Sequence, residues 1–296
     1  MADFKSDLIK RTEEVEKIIY SWMPPEEGYQ KNLIEAMNYS LTAGGKRLRP
    51  MLLWETARLF GYEGEDVKPF MAAIEMIHTY SLVHDDLPAM DNDDYRRGKL
   101  TTHKKFGHAP GILAGDALLN YAYEICAEAV VNSTYPNRAA RALRVISKKA
   151  GIYGMVGGQA VDVEYTDKPM EPEVLQFVHE LKTGALIQAA MSAGAILAGA
   201  EEENIEKIEK IALMTGLAFQ IQDDILDVTS TMEVLGKPVF SDEKNNKTTY
   251  VTILGLDGAG QKVKEYSDSA VRLLNELEYK NQFLQDLLIS LIYREK

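Results

Sequence analysis

The stretch VKPFMAAIEMIHTYSLVHDD, residues 67–86, decides the fold, because it joins a helical apolar pattern to a cluster of carboxylates. Its apolar residues recur at intervals of three and four: Val67, Phe70, Met71, Ile74 and Ile77. This spacing predicts a helix. The same spacing returns later, as in 213–225, whereas alternating strand patterns with hairpin turns are nearly absent. The sequence therefore predicts an all-α fold.

The bulk properties narrow the class of protein further. A length of 296 residues is large for one hydrophobic core but within the reach of one large helical domain. The breaks rich in Gly, Pro and Asn do not resemble long linkers, so we expect one domain, 1–296, of about ten or more helices. The formal net charge of -12 argues against nucleic-acid binding and attachment to an anionic membrane, because both need a basic face.

Two local features bear on the compartment. Cys126 is the only cysteine, so neither a disulfide framework nor a thiolate zinc site can form within one chain, and a reducing cytoplasm is the expected setting. The most apolar segment, 185–200, is shorter than the roughly 20 residues that a bilayer requires. It also contains Gln188 and Ser192. We therefore expect a packed internal helix there and no stable membrane attachment.

The segment HDDLPAMDNDDYRRG, residues 84–98, gathers five aspartates within ten residues. Asp85 and Asp91 are six residues apart and would not share a face of a regular helix, but Pro88 between them disturbs the helix end and can bring them together. His78 lies two turns before Asp85 on the same stripe. Carboxylate oxygens without His or Cys suit hard cations, and magnesium takes only one or two of them beside water and phosphate.

A second carboxylate cluster is FQIQDDILD, residues 219–227. Gln220, Asp223 and Asp227 fall on one stripe of a helix, opposite an apolar stripe. Stacked carboxylates repel each other, and a bound cation removes that cost. Each cluster alone could be a solvated helix end of an acidic protein. Together they predict magnesium and a phosphorylated substrate.

Other metal sites fit the sequence less well. The aspartates after Asp91 lack the central glycine and terminal glutamate of a calcium-binding loop. Glu75 and His78 form one Glu-x-x-His pair, whereas a di-iron bundle needs that motif twice, so we interpret the pair as coincidence.

Basic residues accompany the carboxylates. Arg96 and Arg97 follow the first cluster, and TAGGKRLRP, residues 42–50, supplies Lys46, Arg47 and Arg49 behind two glycines. Glycines let backbone amides approach an anion, and guanidinium groups bind phosphate oxygens in a forked geometry. The spacing is not that of a Walker loop. We expect aspartates to hold the metal of one diphosphate while arginines hold phosphates directly.

With these motifs the chain resembles the trans-isoprenyl diphosphate synthases, and among them the bacterial farnesyl diphosphate synthases. The similar motifs occur in the family's order: GGKRLRP (44–50), IHTYSLVHDDLPAMDNDDYRRG (77–98), GGQAVD (157–162), KTG (182–184), FQIQDDILD (219–227) and GKPVFSDEKNNKTTY (236–250). The resemblance covers nearly the whole chain. It implies the isoprenoid synthase fold, a helical bundle around a central substrate cavity, and a homodimer.

The resemblance also implies roles for individual residues. Isopentenyl diphosphate would be held by Gly45, Lys46, Arg49, His78 and Arg97. Magnesium on the allylic diphosphate would be bound by Asp85 and Asp91 from one side and by Asp223 from the other. The allylic diphosphate itself would be gripped by Arg96, Lys182, Lys237 and Lys247. Supporting roles fall to Asp86 and Asp227, and the allylic cation would be stabilised near Lys182, Thr183 and Gln220.

The implied reaction is ionisation of dimethylallyl or geranyl diphosphate, condensation with isopentenyl diphosphate, and elimination with release of pyrophosphate. Magnesium and cationic side chains would neutralise the departing diphosphate. Tyr80 and Ser81 precede Asp85 by five and four residues, about 6–7.5 Å along a helix. In this family a bulky residue there shortens the product, so Tyr80 favours the farnesyl product.

Three alternatives remain. A geranylgeranyl diphosphate synthase would make a longer product by the same chemistry. A class I terpene cyclase would not consume isopentenyl diphosphate, and GGKRLRP with RRG, which imply a second diphosphate site, argue against it. A noncatalytic partner subunit often lacks one acidic motif, and both are present here. The tail YREK could close over the substrate or be disordered.

Overall fold

The computed structural model describes residues 2–229 and 248–292. Within these residues helices account for almost all regular structure, which confirms the all-α prediction. The elements are α1 (Ala2–Ser21), α2 (Lys31–Leu41), α3 (Leu48–Leu59), a short 3-10 turn (Glu65–Val67), α4 (Lys68–Asp85), β1 (Tyr95–Arg96), β2 (Lys99–Leu100), α5 (Thr102–Phe106), α6 (His108–Asn132), α7 (Pro136–Ala150), α8 (Met155–Glu164), α9 (Pro172–Val178), a π-helical segment (His179–Gly184), α10 (Ala185–Ala198), α11 (Glu202–Thr229), α12 (Tyr250–Asn275) and α13 (Gln282–Ile292).

The chain forms two compact units. The first unit comprises Met1–Trp54 and Glu63–Leu143, and the second unit comprises Glu55–Tyr62 and Arg144–Lys296. Each unit has its own buried apolar residues. One domain over 1–296 stays a prediction.

Helix α4 is central to the first unit. The apolar residues whose spacing predicts this helix are fully or almost fully buried: Val67, just before its first residue, and Phe70, Met71, Ile74 and Ile77 within it. Helices α1, α2 and α6 pack against it. At the end of α4, His84 donates from Nε2 to the carbonyl of Ile112 on α6 at 3.0 Å. A Cβ at Gly115 would overlap that imidazole, so this glycine is what lets α6 pass the end of α4.

A β-hairpin with a two-residue turn follows the first carboxylate cluster. Strands β1 and β2 pair antiparallel, with Tyr95 opposite Leu100 and Arg96 opposite Lys99. The central residues, Arg97 and Gly98, have φ of 53° and 75°, the pattern of a type I′ turn. Such short strands carry no alternation that a sequence pattern could reveal, which is why the hairpin escaped prediction.

In the second unit, α10 and α11 form the centre. Helix α10 is buried from Ala185 to Leu197, which confirms the predicted internal helix. The run Pro172–Ala198 is long and apolar enough to cross a membrane, but 78% of its most apolar window is buried inside the structure, as in the core helix of a soluble protein. A Cβ at Gly216 of α11 would lie 2.9 Å from Cα of Gly184, so α11 packs directly on the π-helical segment.

Candidate active site

The first carboxylate cluster lies where α4 ends. Asp85 is the last residue of the helix, and the chain then turns back, so that the N–H of Asp91 donates to the carbonyl of Asp85 at 2.8 Å. Asp85 is half-buried and Asp91 is exposed. The end of the helix, three residues before Pro88, thus brings the backbones of the two residues together, as the sequence predicts.

Asp86, the next residue, is buried. It is 3% exposed, and Arg96 donates from Nε to its Oδ1 at 2.6 Å. Burial raises the pKa of Asp86, and the hydrogen bond and charge of Arg96 oppose that effect. Asp93 lies 3.6 Å from the same guanidinium. Two aspartates of the first cluster, Asp86 and Asp93, therefore pair with Arg96.

Arg97 turns towards the glycine loop instead. Its Nη1 donates to the carbonyl of Gly44, and a Cβ at Gly45 would lie 2.5 Å from the same nitrogen. Gly45 has φ of 135°, which favours glycine. Lys46 is exposed beside it. Residues from the loop and from the hairpin thus meet within the first unit.

Arg47 corrects the sequence interpretation. We grouped it with Lys46 and Arg49 as a phosphate-binding cation, but it is 2% exposed. Its guanidinium pairs with Glu75 at 2.8 Å and Glu16 at 3.1 Å, and donates to the carbonyl of Leu41 at 2.7 Å. Glu75 is a buried carboxylate that needs a cation. Arg47 therefore pairs with a buried carboxylate instead of a substrate phosphate.

Arg49 and His78 remain candidates for substrate binding. Within the described part of the chain, Nε of Arg49 is buried without a hydrogen-bond partner. Burial lowers the pKa of Arg49 to about 10, which leaves it charged. Burial, with the charge of Arg49 next, lowers the pKa of His78 well below its usual value, so its imidazole is neutral. The site thus offers an unsatisfied guanidinium donor beside a neutral histidine.

Tyr80 lies five residues before Asp85 on α4 and is 6% exposed. Burial raises its pKa to about 12, so the phenol is neutral. Its ring meets the His84 imidazole edge to face, with centroids 5.8 Å apart. Ser81 is half-buried and donates to the carbonyl of His78 at 2.9 Å.

In the second unit, the π-helical segment carries Lys182 and Thr183. Thr183 donates from Oγ1 to Oε1 of Gln220 at 2.8 Å, and Lys182 pairs with Asp162 at 2.6 Å. Such π-helical turns occur frequently at functional sites. The sequence analysis missed Asp162 as the partner of Lys182, although it ends the GGQAVD motif. A Cβ at Gly158, in the same motif, would overlap the backbone of Lys182, so α8 packs directly on this segment.

The second carboxylate cluster divides as the first does. Asp223 is half-buried, whereas Asp224 is 4% exposed and Asp227 is 1% exposed. Asp224 accepts from the backbone N–H of Tyr250 at 3.0 Å. Lys237 and Lys247 lie outside the described residues, as does the tail 293–296.

The donors fit magnesium by their chemistry. Within 2–229 and 248–292, no three His, Cys, Asp or Glu side chains converge on a common metal position. The fit therefore rests on the kind of donor: Asp85, Asp91 and Asp223 offer carboxylate oxygens with some solvent access. Magnesium suits such donors, because it keeps water and phosphate oxygens among its ligands.

An all-α fold with two carboxylate clusters, a glycine loop beside arginines and a π-helical Lys–Thr pair defines a class of helical proteins whose side chains suit a divalent cation and phosphate groups by their chemistry. The particular family follows from comparison with known proteins. The polyprenyl synthetase family model matches residues 30–285, and the chain belongs to that family.

Three similar proteins describe the relationship. The farnesyl diphosphate synthase of Geobacillus stearothermophilus is 45% identical over 92% of this chain and 91% of its own length. A chloroplastic geranylgeranyl pyrophosphate synthase of Arabidopsis thaliana is 43% identical over 90% of this chain but 75% of its own length. The geranyltransferase of Helicobacter pylori, solved as a complex with magnesium and isoprenyl diphosphate, has 31% identity and a TM-score of 0.83 over 97% of this chain and 95% of its own.

Proposed function

We propose that the protein is a farnesyl diphosphate synthase. It condenses isopentenyl diphosphate with dimethylallyl diphosphate and then with geranyl diphosphate, and releases pyrophosphate at each step. The farnesyl relative supports this proposal because it matches over nine-tenths of both chains, while the geranylgeranyl relative is a longer protein. Family membership favours a synthase over the terpene cyclase alternative.

Isopentenyl diphosphate binds in the first unit. The phosphate oxygens accept from Arg49, whose buried Nε is unsatisfied within the described residues, and from Arg97 beside the loop of Gly45 and Lys46. Neutral His78 adds a hydrogen bond without a further charge. Cations and amides in this arrangement bind a diphosphate strongly, because hydrogen bonds between charged groups exceed neutral ones.

The allylic diphosphate uses the carboxylate clusters. Asp85, Asp91 and Asp223 would hold magnesium, and Arg96 and Lys182 contact phosphate oxygens directly, together with Lys237 and Lys247 of the undescribed segment. Bound magnesium would supply positive charge to the departing diphosphate.

Thr183 and Gln220 serve the allylic cation. The Thr183 hydroxyl donates a hydrogen bond to Gln220, so the lone pairs of its oxygen are available to a positive centre. Fixed dipoles of this polarity stabilise a developing cation without reorganising during the reaction. No protein nucleophile is required.

One observation carries the product assignment: Tyr80 is buried on α4, five residues before Asp85. At about 1.5 Å per residue, its backbone lies roughly 7.5 Å deeper than the carboxylate. A chain growing from the diphosphate towards this depth would meet the ring. Ser81, one residue nearer, is too small to obstruct it.

The test is product analysis with purified protein, magnesium, dimethylallyl diphosphate and isopentenyl diphosphate, followed by dephosphorylation and separation of the alcohols by length. We expect farnesol, lost on adding chelator. Tyr80→Ala should lengthen the product, and the matched control Tyr80→Phe, which keeps the ring, should not. Geranylgeraniol from the unmodified protein would refute the farnesyl assignment. Failure to consume isopentenyl diphosphate would refute the synthase and favour the cyclase or partner-subunit alternatives.

The protein also acts, we propose, as a cytoplasmic homodimer. Helix α6 supports this, because Ile112, Leu113 and Val131 are large apolar residues exposed along it, between 46% and 77%. Burying such residues favours association. Sedimentation should give twice the 33.1 kDa of one chain, and charged replacements at Leu113 and Val131 should yield monomers. A monomeric unmodified protein would refute this part of the proposal.

A further inference from the structure

Asp224 stands beside Asp223 in the second carboxylate cluster but points into the second unit. Its Oδ2 accepts from the N–H of Tyr250, the first residue of α12, at 3.0 Å. A carboxylate at a helix N-terminus satisfies an orphan donor and interacts favourably with the helix dipole. The same helix end has a second, independent cap, in which Thr249 and Thr252 exchange hydrogen bonds.

Tyr250 connects this helix end to the π-helical segment. Its ring lies 5.4 Å from the ring of His179, the first residue of the segment, at an angle of 33°. Both residues are 8% exposed. A displacement of Tyr250 would therefore also displace His179, since closely packed buried rings do not move independently.

The other end of the π-helical segment contacts α11. Thr183 donates to Gln220, which precedes Asp224 by four residues, or one helical turn. The two ends of the π-helical segment are thus tied to neighbouring turns of one helix, one directly through Gln220 and the other through Tyr250 and Asp224.

We propose that Asp224 is a positioning residue, which fixes Tyr250 against His179 so that the π-helical segment presents Lys182 and Thr183 in their working places. The inference rests on the proposed function, in which these two residues contact the allylic substrate. It gives the two adjacent aspartates of one motif different tasks: Asp223 binds metal, and Asp224 holds protein backbone.

Kinetics of matched variants test the proposal. Asp224→Asn keeps an acceptor oxygen for the Tyr250 N–H but loses the charge, so its kcat/KM for the allylic substrate should stay near that of the unmodified enzyme. Asp224→Ala should lower it by roughly 10- to 100-fold, because small displacements of catalytic groups cost that much. Its KM for isopentenyl diphosphate and its magnesium requirement should not change. Asp223→Asn should raise the magnesium requirement.

Thr249→Ala is the control for simple loss of helix stability, because it removes the other cap of the same helix end. It should lower the unfolding temperature to a similar extent as Asp224→Ala while leaving the kinetic constants unchanged. If Asp224→Asn raises the magnesium requirement as Asp223→Asn does, Asp224 is a metal ligand and the proposal is wrong. Equal kinetic losses in Thr249→Ala and Asp224→Ala would overturn it as well.

A measurement without substrate separates this inference from the proposed function. Burial holds the pKa of His179 at about 4. In an NMR titration of the imidazole, Asp224→Ala should raise this pKa towards its ordinary value, because Tyr250 no longer covers the ring, whereas Asp224→Asn and Thr249→Ala should not. An unchanged pKa in Asp224→Ala would refute the coupling even if the enzyme proves to be a farnesyl diphosphate synthase.

Discussion

Replacing Arg47 with methionine should destabilise the fold and leave substrate binding intact, although the residue lies inside the GGKRLRP motif, residues 44–50. Its side chain is fully buried, and it pairs with Glu75, whose side chain is 2% exposed. The change leaves Glu75 as a buried carboxylate without its closest cation. Removing one partner of a buried ion pair costs about 3–5 kcal/mol, a large share of the roughly 5–15 kcal/mol by which domains are stable.

Urea unfolding at pH 7 measures this loss. The double variant Arg47→Met/Glu75→Met should recover most of it, because a buried ion pair replaced by apolar side chains is often neutral in stability. Arg49→Met is the matched comparison: it should unfold nearly like the unmodified protein but raise the KM for isopentenyl diphosphate by roughly 10- to 150-fold, the loss of one charged hydrogen bond.

Two results would refute the reasoning. The first is a free energy of unfolding for Arg47→Met within about 1 kcal/mol of the unmodified protein, the range of an exposed pair, which would show that Glu75 does not depend on it. The second is a folded variant that loses isopentenyl diphosphate binding as strongly as Arg49→Met does. Arg47 would then be a substrate ligand, and its interior assignment would be wrong.

Three further predictions follow from backbone geometry and burial. Arg97→Asn should change the free energy of unfolding by less than about 1 kcal/mol, because Asn suits the left-handed position of a type I′ turn, yet raise the KM for isopentenyl diphosphate; an unchanged KM would count against the site. Gly216→Ala should cost about 1–3 kcal/mol and lower kcat, since the added Cβ meets Gly184 backbone; a normal kcat would contradict this. Burial lowers the pKa of His179 from 6.5 to about 4, so the free energy of unfolding should fall by roughly 3 kcal/mol as the pH falls from 6.5 to 4. His179→Gln should flatten this pH dependence, and equal slopes in the variant and the unmodified protein would disprove it.

Sequence reasoning succeeds where a pattern repeats within one helix. The apolar spacing at 67–77 correctly predicted a helix with buried apolar residues, and Pro88 correctly indicated that the chain turns back and brings the backbone of Asp91 to Asp85. Both inferences depend on neighbours a few residues apart, whose relative positions follow from helix geometry or from the interruption of a helix near a proline.

Sequence reasoning fails where a side chain's direction depends on the loop that carries it. Arg47 and Arg49 are two residues apart and chemically alike, but Arg47 has φ of 48° and enters the interior. The pairing of Lys182 with Asp162 joins residues 20 apart across a π-helical turn. No periodic pattern marks an extra residue in a helical turn, so this contact could be found only in three dimensions.

The two carboxylate clusters share a division of labour that helix geometry imposes. Successive residues of a helix differ in direction by about 100°, so two adjacent aspartates cannot face one ligand equally. Asp85 and Asp223 retain solvent access, while Asp86 and Asp224 are buried and hold protein groups, the guanidinium of Arg96 and the N–H of Tyr250. In the proposed function each motif thus joins an aspartate that binds magnesium to an aspartate that holds protein groups, and the second aspartate should tolerate asparagine better than the first in both clusters.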